Sequence, residues 1–243
     1  MSHRIVFIGR GRVATSLAGY ARALGHHAET FDRMALADAP RRVERAVSGA
    51  DVLAIATPDD AVAGALDRWR THFRGSAAVH FSGALTVAGA WSCHPLMSFP
   101  KTAAGFEEIS RASFALEEEA PPLTTVFPGA TNRTFVVRAR DRAFYHALAV
   151  TSGGLAAHAW NRAAAAFASR FPDAPADALA AYLETILARF REEPTGSETG
   201  PVARRDRESV KANLEALADD PRIEGLYRAY LAAAWPDADI DAA

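Results

Sequence analysis

The sequence contains very little cysteine and lysine, and each shortage excludes certain kinds of site or partner. A single cysteine, Cys93, excludes an internal disulfide and a zinc site made of cysteines alone, and it fits a reducing compartment. Lysine occurs only as Lys101 and Lys211, and 29 acidic residues offset 27 basic ones, which leaves a formal net charge of −2. No electrostatic footprint for nucleic acid is therefore expected.

Long apolar runs and metal-ligand spacings are also missing. No run approaches the roughly 20 residues that a transmembrane helix needs, and the residues before the first apolar segment are too few for a signal peptide. The eight histidines do not pair with carboxylates at ligand spacing. We expect a cytoplasmic protein that binds no metal, no nucleic acid and no membrane.

The residues that are present predict an α/β protein with two domains. Apolar strands alternate with amphipathic helices in the first half, which is typical of a doubly wound, mostly parallel sheet. Short strands over Ser113–Glu117 and Arg133–Ala139 finish that sheet, whereas the two prolines of Trp91–Pro100 predict a rigid loop. We predict a Rossmann domain over residues 1–138 and a helical domain over 139–243. The predicted C-terminal helices cover about 142–169, 176–193, 206–219 and 223–235, before a loose tail, Pro236–Ala243.

A glycine turn after the first strand predicts a site for the phosphates of a dinucleotide. Gly9 allows a sharp turn, Gly11 allows the backbone to approach a pyrophosphate, and Ala14 lets the helix pack closely on the strand. The helix N-terminus then offers free N–H groups to an anion. The predicted cradle consists of Gly9, Arg10, Gly11, Arg12, Val13 and Ala14.

Two neighbouring residues at the end of the second strand point to different cofactors. Asp32 lies where a carboxylate would bind the adenosine ribose hydroxyls of NAD, and it would repel a phosphate. Arg33 would instead pair with the 2′-phosphate of NADP. The sequence therefore predicts NAD or NADP, with Asp32 favouring NAD, and a simple polar turn remains open.

Small and polar residues follow two later strands of the sheet. Ala56, Thr57 and Pro58 lie beside the cofactor by topology, because ligands of such sheets bind beyond the carboxyl ends of the strands. Asp59 is expected to cap the next helix. Ser82 closes the following strand, where it could contact the nicotinamide end and the substrate or simply terminate the strand.

Six motifs in order resemble a known family. The chain is similar to Rossmann-like proteins carrying a DUF2520 domain, which are relatives of pyrroline-5-carboxylate reductase and prephenate dehydrogenase with a 6-phosphogluconate dehydrogenase-like C-terminal domain. The resemblance implies an NAD(P)-binding domain, a helical domain and a homodimer formed through those helices, but no substrate. The motifs are Ile8–Val13, Ala56–Asp60, Val79–Leu85, His94–Pro100, Tyr145–Ala147 and Thr199–Arg204 with Asp206.

The resemblance and the positions of the residues together give three catalytic candidates. His94 resembles the histidine of the His-Pro-Met segment of prephenate dehydrogenases and would handle a proton, although it could also hold its loop in place. His146 would face a cleft or serve a structural role. Ser82 is the third candidate. Cys93 is not expected to act as a nucleophile, because no orienting acid is apparent.

Departures from the family pattern leave the activity open. Thr199 and Arg204 are candidates for binding a substrate carboxylate, since a guanidinium matches its geometry, although Arg204 could be a solvated surface residue. Gly154 replaces a usual asparagine, and Glu198 and Arg205 change the loop near Thr199. We expect an NAD(P)-dependent oxidoreductase acting on a small carboxylate-bearing metabolite at a cleft between the domains. The alternative is a non-catalytic dinucleotide sensor or scaffold.

Overall fold

The computed structural model describes residues 2–236 and divides into two compact units, Met1–Thr151 and Ser152–Ala243. The predicted domain boundary after residue 138 lies within the first unit and stays a prediction about domain organisation. Most of the predicted tail Pro236–Ala243 lies outside the described residues.

A seven-stranded sheet forms the centre of the first unit. Its strand order is β2-β1-β3-β4-β5-β6-β7, and every neighbouring pair is parallel except β5 and β6. The predicted class, a doubly wound and mostly parallel sheet followed by helices, is confirmed. The strands are β1 (Arg4–Ile8), β2 (His27–Phe31), β3 (Val52–Ile55), β4 (Ala77–His80), β5 (Trp91–Leu96), β6 (Ser113–Glu117) and β7 (Thr134–Val137).

Helices cover both faces of this sheet. Three of them, α2, α5 and α6, are not predicted from the sequence, because segments of four to six residues are too short to show a helical period. The helices of the first unit are α1 (Arg12–Ala23), α2 (Arg33–Asp38), α3 (Pro40–Ser48), α4 (Asp59–Arg70), α5 (Phe106–Arg111), α6 (Leu123–Val126) and α7 (Arg142–Ala149).

Alternating side chains of the central strands form two separate cores. In β1, Ile5 and Phe7 pack with residues of α1, α5 and α6 on one face, and Val6 and Ile8 pack with residues of α3 and α4 on the other. Successive side chains of a strand point to opposite faces. A strand covered on both faces must therefore be apolar, as β3 is throughout and β1 is after its exposed first residue, Arg4.

One prediction about the sheet is wrong. Residues 91–96 form strand β5, where the prolines predict a rigid loop. The strand pairs with β4 only at Trp91 and Ser92, and its second half pairs with β6. Pro95 thus lies where one side of the strand has no partner, and an unpaired edge tolerates a residue without an N–H.

The second unit is helical. Residues 142–170 are helical throughout, as predicted, but a π-helical stretch over Val150–Leu155 separates α7 from α8. The stretch contains the Gly153-Gly154 pair, whose low helix propensity makes the regular ladder easy to interrupt. A small core joins Val202, Val210, Leu231 and Trp235. The further helices are α8 (Ala156–Arg170), α9 (Ala178–Glu192), α10 (Arg207–Leu217) and α11 (Pro221–Ala234).

Candidate functional site

The glycine turn joins β1 to α1 at the carboxyl edge of the sheet. Gly9 has φ +120°, and its N–H donates to the Phe31 carbonyl at 2.8 Å. A Cβ at this position would strike the Ala56 carbonyl, so only glycine fits here. The turn is therefore built for close contact with the end of β3.

The next residues of the turn leave room for a ligand. A Cβ on Gly11 would meet no atom within 4 Å, and no side chain caps the N-terminus of α1. Ala14 is fully buried against the sheet. Open space in front of an uncapped twelve-residue helix is where a diphosphate can bind to free N–H groups. These residues, with the buried and unpartnered Thr57 hydroxyl, fit a dinucleotide.

Asp32 lies beside the turn and is already engaged. One carboxylate oxygen caps α2 by accepting the Ala35 N–H at 2.9 Å, and the other lies 3.3 Å from Nη1 of Arg10. These hydrogen bonds, that of Ala35 first, lower the pKa of Asp32. Arg33 follows as the first residue of α2, and Arg10 and Arg12 are exposed. Asp32 is thus paired with Arg10, and the exposed Arg12 and Arg33 are the first residues of α1 and α2.

The ends of β3 and β4 are connected by polar side chains. Asp59 is the first residue of α4 and not its cap, so the predicted capping role is wrong. Its carboxylate accepts a hydrogen bond from the Ser82 hydroxyl at 2.9 Å. The same hydroxyl accepts from the N–H groups of Ala84 and Leu85 at 3.2 Å. Ser82 therefore stabilises the turn after β4. This is also the role expected of Ser82 if it simply terminates the strand.

His94 and His146 meet next to this turn. His94 lies on β5 and His146 on α7, and their ring centroids are 6.0 Å apart. A Cβ on Gly83 would lie 2.8 Å from Cδ2 of His146 and 3.1 Å from Nε2 of His94. The absence of a side chain at Gly83 thus lets both rings approach the β4 turn.

Tyr145 holds the other edge of the His94 ring. Its hydroxyl lies 2.7 Å from Nδ1 of His94. In the sequence, Tyr145 is notable only as part of the Tyr145–Ala147 motif, and no separate role is predicted for it. The signal that could have found it is the helical spacing, since residues three and four apart share a face and Arg142, Tyr145 and His146 follow that spacing.

Two histidines near the end of the sheet, His94 and His80, are held neutral. Burial, followed by the charges of His146 and Arg142, lowers the pKa of His94 to about 4. Burial and Arg142 lower the pKa of His80, on the neighbouring strand, to about 4 as well. Burial raises the pKa of the Cys93 thiol to about 12. A thiolate nucleophile next to His94 is therefore disfavoured.

Arg142 is the most unusual residue of the site. Its side chain is completely buried, and none of its three guanidinium nitrogens has a hydrogen-bond partner among the described residues. Glu117, also buried, accepts the Ser92 N–H at 3.0 Å and attracts Arg142 electrostatically without forming an ion pair. Burial lowers the pKa of Arg142, and Glu117 opposes that shift.

The two predicted substrate-binding residues lie in the second unit. Thr199 borders a cavity of about 420 Å³ together with Arg189 and Glu193. Arg204 is exposed, and its N–H donates to the Gly200 carbonyl at 3.2 Å. Their contact with a substrate stays a prediction.

The described residues contain neither a membrane-spanning helix nor a metal-binding cluster. None of the helices within residues 2–236 combines the length and hydrophobicity that crossing a membrane requires. In the same part of the chain, no group of three or more histidine, cysteine, aspartate or glutamate side chains could hold a metal ion.

The predicted family resemblance is confirmed. Residues 114–234 match the family described as "Domain of unknown function (DUF2520)". The match begins in β6 and runs to the end of α11. No curated protein matches the sequence.

Solved structures share the fold over nearly the whole chain. A Bacteroides fragilis protein described as a candidate NADP oxidoreductase is 22% identical, with 96% of this chain and 98% of that chain covered and a TM-score of 0.75. A Streptomyces aurantiacus imine reductase is 17% identical, with 97% and 94% covered and a TM-score of 0.61. Plasmodium falciparum pyrroline carboxylate reductase, solved with NADP, is 8% identical, with 96% and 95% covered and a TM-score of 0.59. At these identities the likeness shows the fold alone, a Rossmann-like sheet followed by helices.

Proposed function

We propose that this protein is an NADP-dependent oxidoreductase that acts on a small carboxylate-bearing metabolite. One observation carries the proposal. The uncapped glycine turn and the His94–Tyr145 pair lie at the same carboxyl edge of one sheet, linked through the Asp59–Ser82 hydrogen bond. Ligands of open α/β sheets bind at this edge, so a cofactor and a proton-handling residue would meet there.

The residues around the turn would hold the cofactor. Gly11 and the N-terminus of α1 would bind the diphosphate, and Ala56, Thr57 and Pro58 would line its path toward Ser82. When bound, the nicotinamide supplies or accepts the hydride. The proteins of the same fold that are described as NADP oxidoreductase or solved with NADP support this assignment.

The environment of Asp32 favours NADP over NAD in this proposal. Asp32 favours NAD only if its carboxylate is free to accept from the ribose hydroxyls. Both of its oxygens have partners, and one of these is Arg10. Arg10 and Arg33 would then provide the charge that a 2′-phosphate requires.

On the substrate side, His94 would transfer a proton to or from the reacting nitrogen or oxygen. A neutral imidazole is suited to this role at pH 7 because one ring nitrogen can donate while the other accepts. His146 would line the same space, and Thr199 and Arg204 would bind the carboxylate. These roles are proposed from residue chemistry and from the position of His94.

The first experiment separates binding from turnover. NADPH and NADH binding is measured by fluorescence, and nucleotide consumption is then screened against imino, keto and hydroxy acids. His94→Ala should abolish turnover while leaving nucleotide binding intact. His27→Ala is the matched control, since His27 is an exposed histidine at the amino end of β2, at the opposite edge of the sheet. Binding without turnover across the screen would support the sensor alternative, and failure to bind either nucleotide would contradict both.

We also propose that the chain forms a homodimer through its C-terminal helices. Helices α8 and α9 contain no buried residue, yet Tyr182, Leu187 and Phe190 expose 57%, 43% and 52% of their surface. Apolar helix faces of this kind are usually covered by a partner. Light scattering on the purified protein should give twice the chain mass of 26.0 kDa, and a monomer at micromolar concentration would rule the dimer out.

A further inference from the structure

One face of α7 brings three polar side chains to the His94 ring. Arg142, Tyr145 and His146 are spaced by three and one residues at the start of this helix, and Asp141 precedes it. Tyr145 and His146 each pack edge-on against His94, with ring centroids 5.6 and 6.0 Å away. His94 itself is fixed in β5, where it pairs with Ala115 of β6. The ring is thus held between a sheet and a helix.

The hydrogen bond to Tyr145 determines which nitrogen of His94 carries the hydrogen. Burial raises the pKa of the Tyr145 phenol, so this group keeps its proton and can donate. Arg142 lies close enough to oppose that shift, and a nearby cation makes a phenol a stronger donor. A phenol that donates to Nδ1 leaves the hydrogen of a neutral imidazole on Nε2. Nε2 is the nitrogen that faces Gly83.

The buried Arg142 opposes a second proton on His94. An unpaired buried cation repels any further positive charge placed near it. Glu117 is too far away to form an ion pair with it, so the repulsion is only partly compensated. His80 and His94 both experience this charge, and Asp59 opposes it at both rings.

We propose that Tyr145 and Arg142 are positioning residues for His94, which together hold it as a neutral ring with its hydrogen on Nε2, directed toward the turn at Gly83. The chemistry that such a ring supports is a proton relay, and this step rests on the oxidoreductase function proposed above. As a substrate C=N or C=O carbon is reduced, the nitrogen or oxygen takes the proton of Nε2. Nδ1 takes the proton of Tyr145, and Arg142 stabilises the phenolate that remains. A proton from solvent then adds to Nε2, and the phenolate takes back the proton of Nδ1, which restores the starting tautomer.

The groups that could change the protonation of His94 come from every element packed around it. They include one carboxylate on α4, a buried imidazole on β4, a thiol on β5, a carboxylate on β6 and three side chains on α7. These groups are Asp59, His80, Cys93, Glu117, Arg142, Tyr145 and His146.

The test measures the hydrogen position directly on the cofactor-free protein. Two-dimensional NMR of ¹⁵N-histidine-labelled full chain distinguishes the two neutral tautomers and the cation, and His94→Gln assigns the signal. Between pH 8 and pH 5, His94 should remain neutral with its hydrogen on Nε2. A hydrogen on Nδ1, or a ring that becomes cationic near pH 6.5, would overturn the proposal.

Variants separate the two positioning residues. Tyr145→Phe removes the hydroxyl but keeps the ring, and it should convert the single tautomer into a mixture. Arg142→Gln should raise the pKa of His94 by roughly one unit, whereas Arg142→Lys, which keeps the charge, should not. Arg140→Gln is the matched control, because Arg140 is an exposed arginine two residues before Arg142. If Arg142→Gln does not fold, Tyr145→Phe still decides the tautomer, and a raised pKa of His94 in Arg142→Lys would contradict the role given to the charge.

The same measurements stand apart from the proposed function. The tautomer is observed without nucleotide or substrate. The proposed positioning of His94 can therefore be confirmed even in a protein that binds no NADPH. In that case the oxidoreductase proposal fails while the positioning of His94 holds. An unchanged His94 spectrum in both Tyr145→Phe and Arg142→Gln would contradict the positioning, whatever the activity of the protein.

Discussion

The two units differ in where their apolar side chains lie. In the first unit, Phe7, Leu17, Leu53 and Ile55 are all completely buried on the two faces of the sheet. In the second, α8 and α9 bury no residue at all, and Phe190 exposes half of its surface. Both regions show clear helical periods in the sequence. The comparison teaches that a period predicts a helix and its apolar face, but not whether the chain itself covers that face.

The largest expected effect tests whether the first unit depends on its glycine turn. Gly9→Ala forces a side chain onto the Ala56 carbonyl at φ +120°, and we expect a loss of about 2–4 kcal/mol in the free energy of unfolding. Gly11→Ala adds a methyl group to open space, so stability should change by less than about 0.5 kcal/mol, while NADPH binding weakens. Urea denaturation and fluorescence titration measure the two quantities. Equal destabilisation by both substitutions would contradict the assignment of separate roles.

The second effect tests the buried histidines of the first unit. His80 has a pKa of about 4 in the folded protein, against about 6.5 when unfolded, so the unfolded state binds more protons between these values. The contribution of His80 to stability should therefore be complete above about pH 6.5 and fall by on the order of 3 kcal/mol as the pH drops toward 4.

A substitution at the same position checks this pH dependence. His80→Leu removes a ring whose two nitrogens have no partner among the described residues. The loss of stability between pH 6.5 and pH 4 should therefore shrink to the part contributed by His94, whose pKa is also about 4. Urea denaturation at a series of pH values measures it. An unchanged slope in the variant would mean that another group titrates.

Particular residues show how far the sequence alone leads. The short apolar strands that alternate with amphipathic helices, together with the glycine turn, predict the sheet, because both features are visible in the local sequence. The strand at Trp91–Leu96 is missed, since its proline is tolerated only because β4 ends early, which is a fact of pairing and not of local sequence. The engagement of Asp32 by Arg10, and the burial of Arg142 near Glu117, are missed for the same reason, because their partners are 22 and 25 residues away.

The third effect tests whether a second copy covers the apolar faces of the second unit. Phe190→Ser should weaken the proposed dimer by roughly 2 kcal/mol, about 30-fold in its dissociation constant, as measured by sedimentation. Hydrogen exchange in α9 should rise on dilution, while exchange in β1 and β3 should not. Arg191→Ser, at the next exposed position of α9, is the control. A dimer that resists Phe190→Ser and forms with α9 still exchanging freely would place the interface elsewhere.

The smallest expected effect asks whether the first unit alone selects the cofactor. Arg33→Ala removes one of the charges proposed to bind a 2′-phosphate, and a solvent-exposed pair of this kind contributes about 1 kcal/mol, so NADPH binding should weaken about fivefold with NADH unchanged. Asp32→Asn should weaken neither nucleotide to that extent, because its carboxylate serves the α2 cap and Arg10. Arg204→Ala, in the second unit, is the control. Arg204→Ala could change the relative affinity for NADPH and NADH as much as Arg33→Ala does. In that case both units take part in cofactor selection, and the contrast between a first unit that binds the nucleotide and a second that supplies helical surface is wrong.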